Sequence, residues 1–207
     1  MIHFSADELV SQQQYKFLSG SVVPRPIAWI TTLANDGQTV NVAPFSFFSV
    51  ASNVLPLLSV AIMRKNGYSK DTAQNLLDHG EGVVHIVDLS TGEAMNETAA
   101  PFPPHQSELE RTNLTLTQSR SVAVPAIQEA KIRFEVTVHQ HIPVKDDDEN
   151  ITTDLFLLRV EDFYFDETVF DEEKQYILPD ALQPLARLSG NAYATIGELF
   201  QMIRPIE

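Results

Sequence analysis

The chain has 207 residues, 43% of them hydrophobic, and carries 28 Asp and Glu against 14 Lys and Arg for a net charge of -14. That length and apolar content suffice for a single domain, residues 1 to 207, with a real core, while the acidity argues against DNA, RNA and anionic membranes as partners because long-range repulsion opposes each. With no cysteine, the chain can form no disulfide, thiolate nucleophile, thiolate-ligated iron–sulfur cluster or cysteine zinc site.

Taken from the N-terminus, Met1 to Glu8 holds two acids, no basic stretch and no apolar run of signal length, so a cytoplasmic location is expected. No apolar run approaches the roughly 18 residues of a membrane-spanning helix. Residues 27 to 33 and 39 to 45 are rich in β-branched and aromatic types and flank an Asp36-Gly37 turn, which predicts a hairpin. Residues 57 to 64 and 82 to 88 are short apolar runs that read as buried strands. Between them, Asp71 followed three residues later by Gln74 predicts a capped helix that ends near Gly80. A second helix is expected over Ser90 to Ala99, a third from Pro103-Pro104 through Glu110, and a last one over about Thr195 to Met202.

Residues 132 to 138 alternate, with Ile132, Phe134, Val136 and Val138 on a face that suits a core and Arg133, Glu135 and Thr137 on a face that suits water. Residues 155 to 165 complete a set of about six strands, appropriate to an antiparallel barrel or sandwich. The acid-rich run Asp146 to Glu149 reads as a solvated hairpin tip.

One stretch reverses the overall charge: residues 16 to 70 hold five basic residues, Lys16, Arg25, Arg64, Lys65 and Lys70, and a single acid, Asp36. Such a reversal marks a candidate anion site. Ser69-Lys70-Asp71-Thr72 stands at a helix start, where unpaired N–H groups, the helix dipole and an ammonium together suit a phosphate. In that arrangement Asp71 turns inward as the cap and Thr72 outward. A capped surface helix with an incidental lysine fits the same residues. Asn41-Val42-Ala43-Pro44-Phe45-Ser46 puts a proline inside a strand-like run, so the ladder breaks there and leaves backbone groups free to read a planar heterocycle, although an edge strand with core phenylalanines is the plain alternative. Pro24-Arg25-Pro26 stiffens an arginine that suits an anion clamp or a simple surface position. His139 and His141 share one side of a strand but have no evident third ligand, so no metal is expected. Hydrolase, zinc-protease, nucleotide-triphosphatase and Rossmann spacings are absent.

Together, PRPIAWITT at 24 to 32, NVAPFSFFS at 41 to 49, SKDT at 69 to 72, MNET at 95 to 98 and RLSGNAY at 187 to 193 resemble the flavin-reductase-like family with the FMN-binding split barrel, a group that includes flavoredoxins and the small reductase components of two-component monooxygenases. The resemblance implies a mainly β fold, a six-stranded antiparallel split barrel with peripheral helices, that dimerises with FMN near the subunit interface. It places Asn41, Ala43, Pro44, Phe45 and Ser46 along the isoalloxazine, Arg25 and Thr31 near the ribityl chain and phosphate, Ser69, Lys70 and Thr72 on the phosphate, and Arg187 and Tyr193 where they close the site. His85 stands where relatives usually carry Asn, and Ser189 where glycine is common. The implied activity is NAD(P)H-dependent flavin reduction, with NADH or NADPH as co-substrate and a monooxygenase or redox protein as a partner. Because the flavin carries that chemistry, no side-chain acid or nucleophile is required. A flavoredoxin-like electron carrier and a flavin-binding module without turnover are the alternatives.

Overall fold

A computed structural model of the chain describes residues 1–103 and 106–205. Seven strands form one antiparallel sheet: β1 (Ala28–Leu33), β2 (Val40–Phe45), β3 (Phe48–Val50), β4 (Leu57–Met63), β5 (Glu81–Ile86), β6 (Ile132–Lys145) and β7 (Ile151–Phe165). Their spatial order is β2-β1-β5-β6-β7-β4-β3. The six strands expected from the sequence are all present, and the seventh is the three-residue edge strand β3. The hairpin between β1 and β2 turns where Asp36 accepts the N–H groups of Gln38 and Thr39 at 2.9 and 2.8 Å. The tip between β6 and β7 is closed by Asp146, which accepts from Asp148 and Asn150 at 3.0 and 2.9 Å.

The two edges of this sheet, β2 and β3, are consecutive in the chain and joined only by Ser46 and Phe47. Three Cα steps reach at most about 11 Å, so the sheet must curl until its edges nearly meet. They do not hydrogen-bond to each other, and the product is a split barrel. Ile30, Phe45, Val60, Ile62, Val84, Val136, Phe156 and Leu158 fill its interior. The helix α2 (Asp71–His79) contributes Ala73 and Leu76 to that interior and ends at Gly80, whose φ of 73° is the left-handed turn that glycine favours.

The outer face of β1, β2 and β5 is covered as well, by a second cluster around Trp29, Val42, Val87, Met95 and Ile127. For the same reason the polar face of β6 differs from expectation. Glu135 is only 1% exposed, since residues 118 to 124 fold over it and the N–H groups of Arg120 and Ser121 donate to its carboxylate.

The helices depart from the sequence expectations in four ways. An unexpected helix, α1 (Ser11–Ser21), precedes the barrel. At α2 the cap position is Lys70, no side chain caps the first turn, and Gln74 donates to Asp78, so the expected Asp71–Gln74 capping box does not form. The Ser90 to Ala99 helix contracts to α3 (Gly92–Glu97), and the third helix to a 3-10 turn over Glu108–Arg111, with Pro104 and His105 outside the described residues. Thr195 to Met202 forms no helix. Its apolar residues Leu199, Phe200 and Met202 stay exposed, so the segment has no face to pack and helix formation goes unsupported. Among the described residues, no helix is long and apolar enough to cross a membrane.

Two buried polar residues anchor this frame. His85 is fully buried beside Trp29, with Nδ1 2.8 Å from the Trp29 carbonyl and Nε2 accepting from the Ile127 N–H at 2.9 Å. Burial lowers its pKa from 6.5 to about 4. Asp154 on β7, fully buried, takes a bidentate pair from Arg64 Nε and Nη2 at 2.9 Å each and further bonds from His141 and Ser69. Burial pushes the Asp154 pKa up, but these hydrogen bonds outweigh it and hold the group below its ordinary 3.8. The carboxylate therefore ties residues 64 to 69 to the barrel.

Two predictions follow from these anchors. As pH falls below 6.5, the unfolded chain protonates His85 while the folded chain resists until about pH 4, so stability drains over that window by about 3 kcal/mol. Urea titrations of the parent and His85→Asn should therefore differ most at neutral pH and converge near pH 4.5, and a constant difference would contradict the assignment. Asp154→Ala strands the Arg64 guanidinium and should cost about 3 kcal/mol in the same assay. A cost below about 1 kcal/mol would reduce the pair to an exposed ion contact.

Candidate functional site

A cavity of about 740 Å³, within the usual range for cofactor sites, lies beside the free edge of β2. Its walls come from four places. β2 and the link after it supply Asn41, Ala43, Pro44, Phe45 and Ser46, and the turn before α2 supplies Lys65, Tyr68, Ser69, Lys70, Asp71 and Thr72. The segment after α3 contributes Thr98 to Phe102, and the late hairpin contributes Arg187 and Tyr193. Tyr15 of α1, Ile27, Met95 and Glu108 complete it.

Two ends of the cavity differ in chemistry. At the α2 end, the N–H groups of Asp71, Thr72 and Ala73 precede the first helical bond, which runs from Gln74 N to Lys70 O, and so have no acceptor within the helix. Lys70 Nζ lies 5.6 Å from the centre of the Phe45 ring. Partial burial lowers the Lys70 pKa, and the nearby Lys65 ammonium lowers it further. Two like charges converging on a helix N-terminus make a place that an anion relieves. Apolar and aromatic side chains in the wall include Ile27, Pro44, Phe45, Met95 and Tyr193. The Arg187 guanidinium stacks 4.5 Å over the Tyr193 ring.

Of the residues singled out in the sequence, ten stand in this wall: Asn41, Ala43, Pro44, Phe45, Ser46, Ser69, Lys70, Thr72, Arg187 and Tyr193. Two of them are oriented differently from the expectation. The Thr72 hydroxyl turns inward and donates to Asn41 Oδ1 at 2.7 Å, and the Ser69 hydroxyl donates to Asp154 Oδ2 at 3.1 Å. Any anion at this end would therefore meet backbone N–H groups and ammonium ions first.

Arg25 and Thr31 are not brought into the cavity wall. Arg25 is 8% exposed, and its guanidinium donates to the carbonyls of Ser19, Val22 and Leu188, pinning the end of α1 to the late hairpin. Thr31 faces the outer side of β1 and donates to the Pro125 carbonyl at 2.8 Å. His85 is likewise absent from the wall. Ser189 precedes the left-handed Gly190 (φ 58°) and does not itself take a positive φ, so a serine fits that turn without strain.

The sequence gives no site role to Tyr15, Tyr68, residues 99 to 102 or Glu108, and Ile27, Met95 and Thr98 enter it only as members of the PRPIAWITT and MNET motifs. Lys65 was counted in the basic stretch but given no role. Glu108 had no local signal at all, because its partners Asn41 and Val42 lie 67 and 66 residues away.

Comparison with known proteins agrees with this architecture. The family model described as flavin reductase like domain matches residues 19–186. The chain is 51% identical over 206 residues to the uncharacterized protein YwrF of Bacillus subtilis (strain 168), covering 99% of this chain and 100% of that one. Among solved structures, nitrilotriacetate monooxygenase component B from Bacillus cereus superposes with a TM-score of 0.93 at 38% identity, over 98% of both chains. The 2-nitrobenzoate 2-nitroreductase NbaA of Pseudomonas fluorescens superposes with a TM-score of 0.87 at 30% identity, over 99% of this chain and 96% of the other. A split barrel with a large cavity beside its free β2 edge, together with a family match over most of its length, makes this chain a member of the flavin reductase like family.

Proposed function

We propose that the protein is an FMN-binding, NAD(P)H-dependent flavin reductase that acts as a homodimer of single-domain subunits. The observation that carries this reading is the polarity of the cavity: two lysines and a helix N-terminus at one end, and an aromatic and aliphatic slot at the other. That donor set fits the phosphate and the planar ring system of FMN. The chemistry supplied by the bound cofactor is hydride acceptance from NADH or NADPH and onward delivery of electrons.

In this reading the chain's own residues bind, orient and exclude water. Lys70, Lys65 and the first N–H groups of α2 hold the phosphate. Pro44, on the unpaired edge of β2, and Ser46 in the link after it present backbone groups to the flat heterocycle. The Arg187 guanidinium would favour negative charge on the reduced ring system. Tyr193 and Phe102 add two further rings to the wall.

The similar enzymes suggest two destinations for the electrons. Component B belongs to a monooxygenase, which suits release of reduced flavin to a partner, and NbaA is a nitroreductase, which suits reduction of a small acceptor. Oxidation of NAD(P)H that accelerates in proportion to added free FMN supports the first. Turnover with only the retained flavin and a small acceptor supports the second. A flavoredoxin-like carrier corresponds to retained flavin that reacts with a redox protein alone.

The dimer rests on exposed apolar residues of the N-terminal helix and the β3–β4 region. Leu18, Val22, Val50 and Val54 are 65%, 61%, 73% and 84% exposed, apolar side chains that a second copy would cover. Light scattering at micromolar concentration should return twice the monomer mass, and a flavin-loaded monomer would contradict it. For the cofactor, Lys70→Ala should weaken FMN binding by about ten- to hundredfold, equivalent to roughly 1.5 to 3 kcal/mol. The loss should shrink as salt rises. Riboflavin, which lacks the phosphate, should bind parent and variant alike, and an equal loss for both ligands would move the phosphate elsewhere.

A further inference from the structure

The open edge of β2 has no strand partner, yet its outward backbone groups are not left bare. The Val40 carbonyl accepts from Ser107 Oγ at 2.5 Å, and the Val42 N–H donates to Glu108 Oε2 at 2.8 Å. The next outward position is Pro44, which has no N–H to satisfy. Glu108 reaches further: its Oε1 accepts from the Asn41 side-chain amide at 2.7 Å, while Asn41 Oδ1 accepts from Thr72 Oγ1 at 2.7 Å. The side chain is 5% exposed and lines the cavity.

A buried carboxylate is an expensive choice unless its charge is needed. Here it is needed, because both oxygens must accept at once. A glutamine offers one acceptor and would turn its NH2 group toward either Val42 N–H or the Asn41 amide. As an acceptor only, Glu108 also fixes which way the Asn41 amide points. Asn41 Oδ1 is then obliged to face α2. The residue further begins the 3-10 turn Glu108–Arg111, whose Arg111 guanidinium lies 4.7 Å over Phe102 of the facing wall.

We propose that Glu108 is a positioning residue of the flavin site: a carboxylate staple that closes the free edge of β2, fixes the Asn41 amide, and holds the ring-facing wall in register with the phosphate end of α2. This rests on the flavin reading above. The charged groups around Glu108 are Asp71 on α2, Lys65, Lys70 and Arg187 in the same cavity, and Glu110 and Arg111 on its own turn. Burial raises its pKa above the ordinary 4.5; the Val42 N–H and the Asn41 amide pull it down, and Asp71 adds to the rise. Protonation removes one of its two acceptors, so the staple should open as pH falls through that raised pKa.

The experiment is fluorescence titration of the parent and Glu108→Gln with FMN and with riboflavin, each sample checked by circular dichroism. The variant should lose about tenfold in affinity for both ligands, because the wall it supports faces the ring they share. Riboflavin has no phosphate to titrate, so it serves as the pH probe. Its affinity for the parent should fall as pH drops from about 7 to 4.5, while its affinity for Glu108→Gln stays level. A variant that matches the parent, a loss confined to FMN, or two parallel pH profiles would overturn the proposal. If the variant does not fold, the parent alone decides, since a level riboflavin profile overturns it. Failure of the parent to bind either ligand removes the flavin reading itself and this inference with it, an outcome distinct from the rest.

Discussion

The two-residue link between β2 and β3 is the constraint on which the rest of the molecule depends. Strands that lie at opposite edges of a seven-stranded sheet are held within about 11 Å along the chain, so the sheet cannot remain open and flat. It does not close fully: β2 and β3 form no ladder with each other, and Pro44 removes a donor from the β2 edge. The cavity lies against that β2 edge. An unpaired sheet edge is normally a liability for association with other chains. In this protein, side chains of Ser107 and Glu108 occupy it where no ligand would, and the cavity occupies the rest.

Buried carboxylates act repeatedly as staples for irregular segments. Glu135 on β6 receives the N–H groups of Arg120 and Ser121, Asp88 receives those of Ser90 and Thr91, and Asp154 holds Arg64 and Ser69. Glu108 does the same for the β2 edge. A carboxylate presents two acceptor oxygens with several lone pairs, so one side chain can order a whole loop that makes no ladder of its own. Against the chain's net negative charge, Lys65 and Lys70 concentrate positive charge at one cavity end, where low-dielectric walls focus it.

Local patterning was enough to locate the strands, because β-branched and aromatic runs bounded by turn residues depend on neighbours a few positions away. It was also enough to suggest two contiguous parts of the cavity wall, the interrupted strand at Asn41 to Ser46 and the lysine at the α2 start. It failed for residues whose roles lie across the fold. Arg25, read as an anion clamp or a surface residue, and Thr31, placed near the ribityl chain by the family resemblance alone, are absorbed by carbonyls of Ser19, Val22, Leu188 and Pro125. Glu135 read as solvent-facing, yet lies under a loop some 15 residues earlier in the chain.

By itself, then, the sequence determined the mainly β character, the six principal strands, the Asp36-Gly37 hairpin, and the clustering of basic residues ahead of α2, all consequences of short-range periodicity and charge. Only the tertiary structure decided that the sheet curls into a slit, that Thr72 faces Asn41 and leaves the phosphate end to backbone and lysines, that His85 is a buried strut, and that Glu108 reaches the β2 edge. Those outcomes are set by which surfaces meet when the strands pair at long range. A hydrogen bond between residues 67 positions apart leaves no trace in the neighbours of either one.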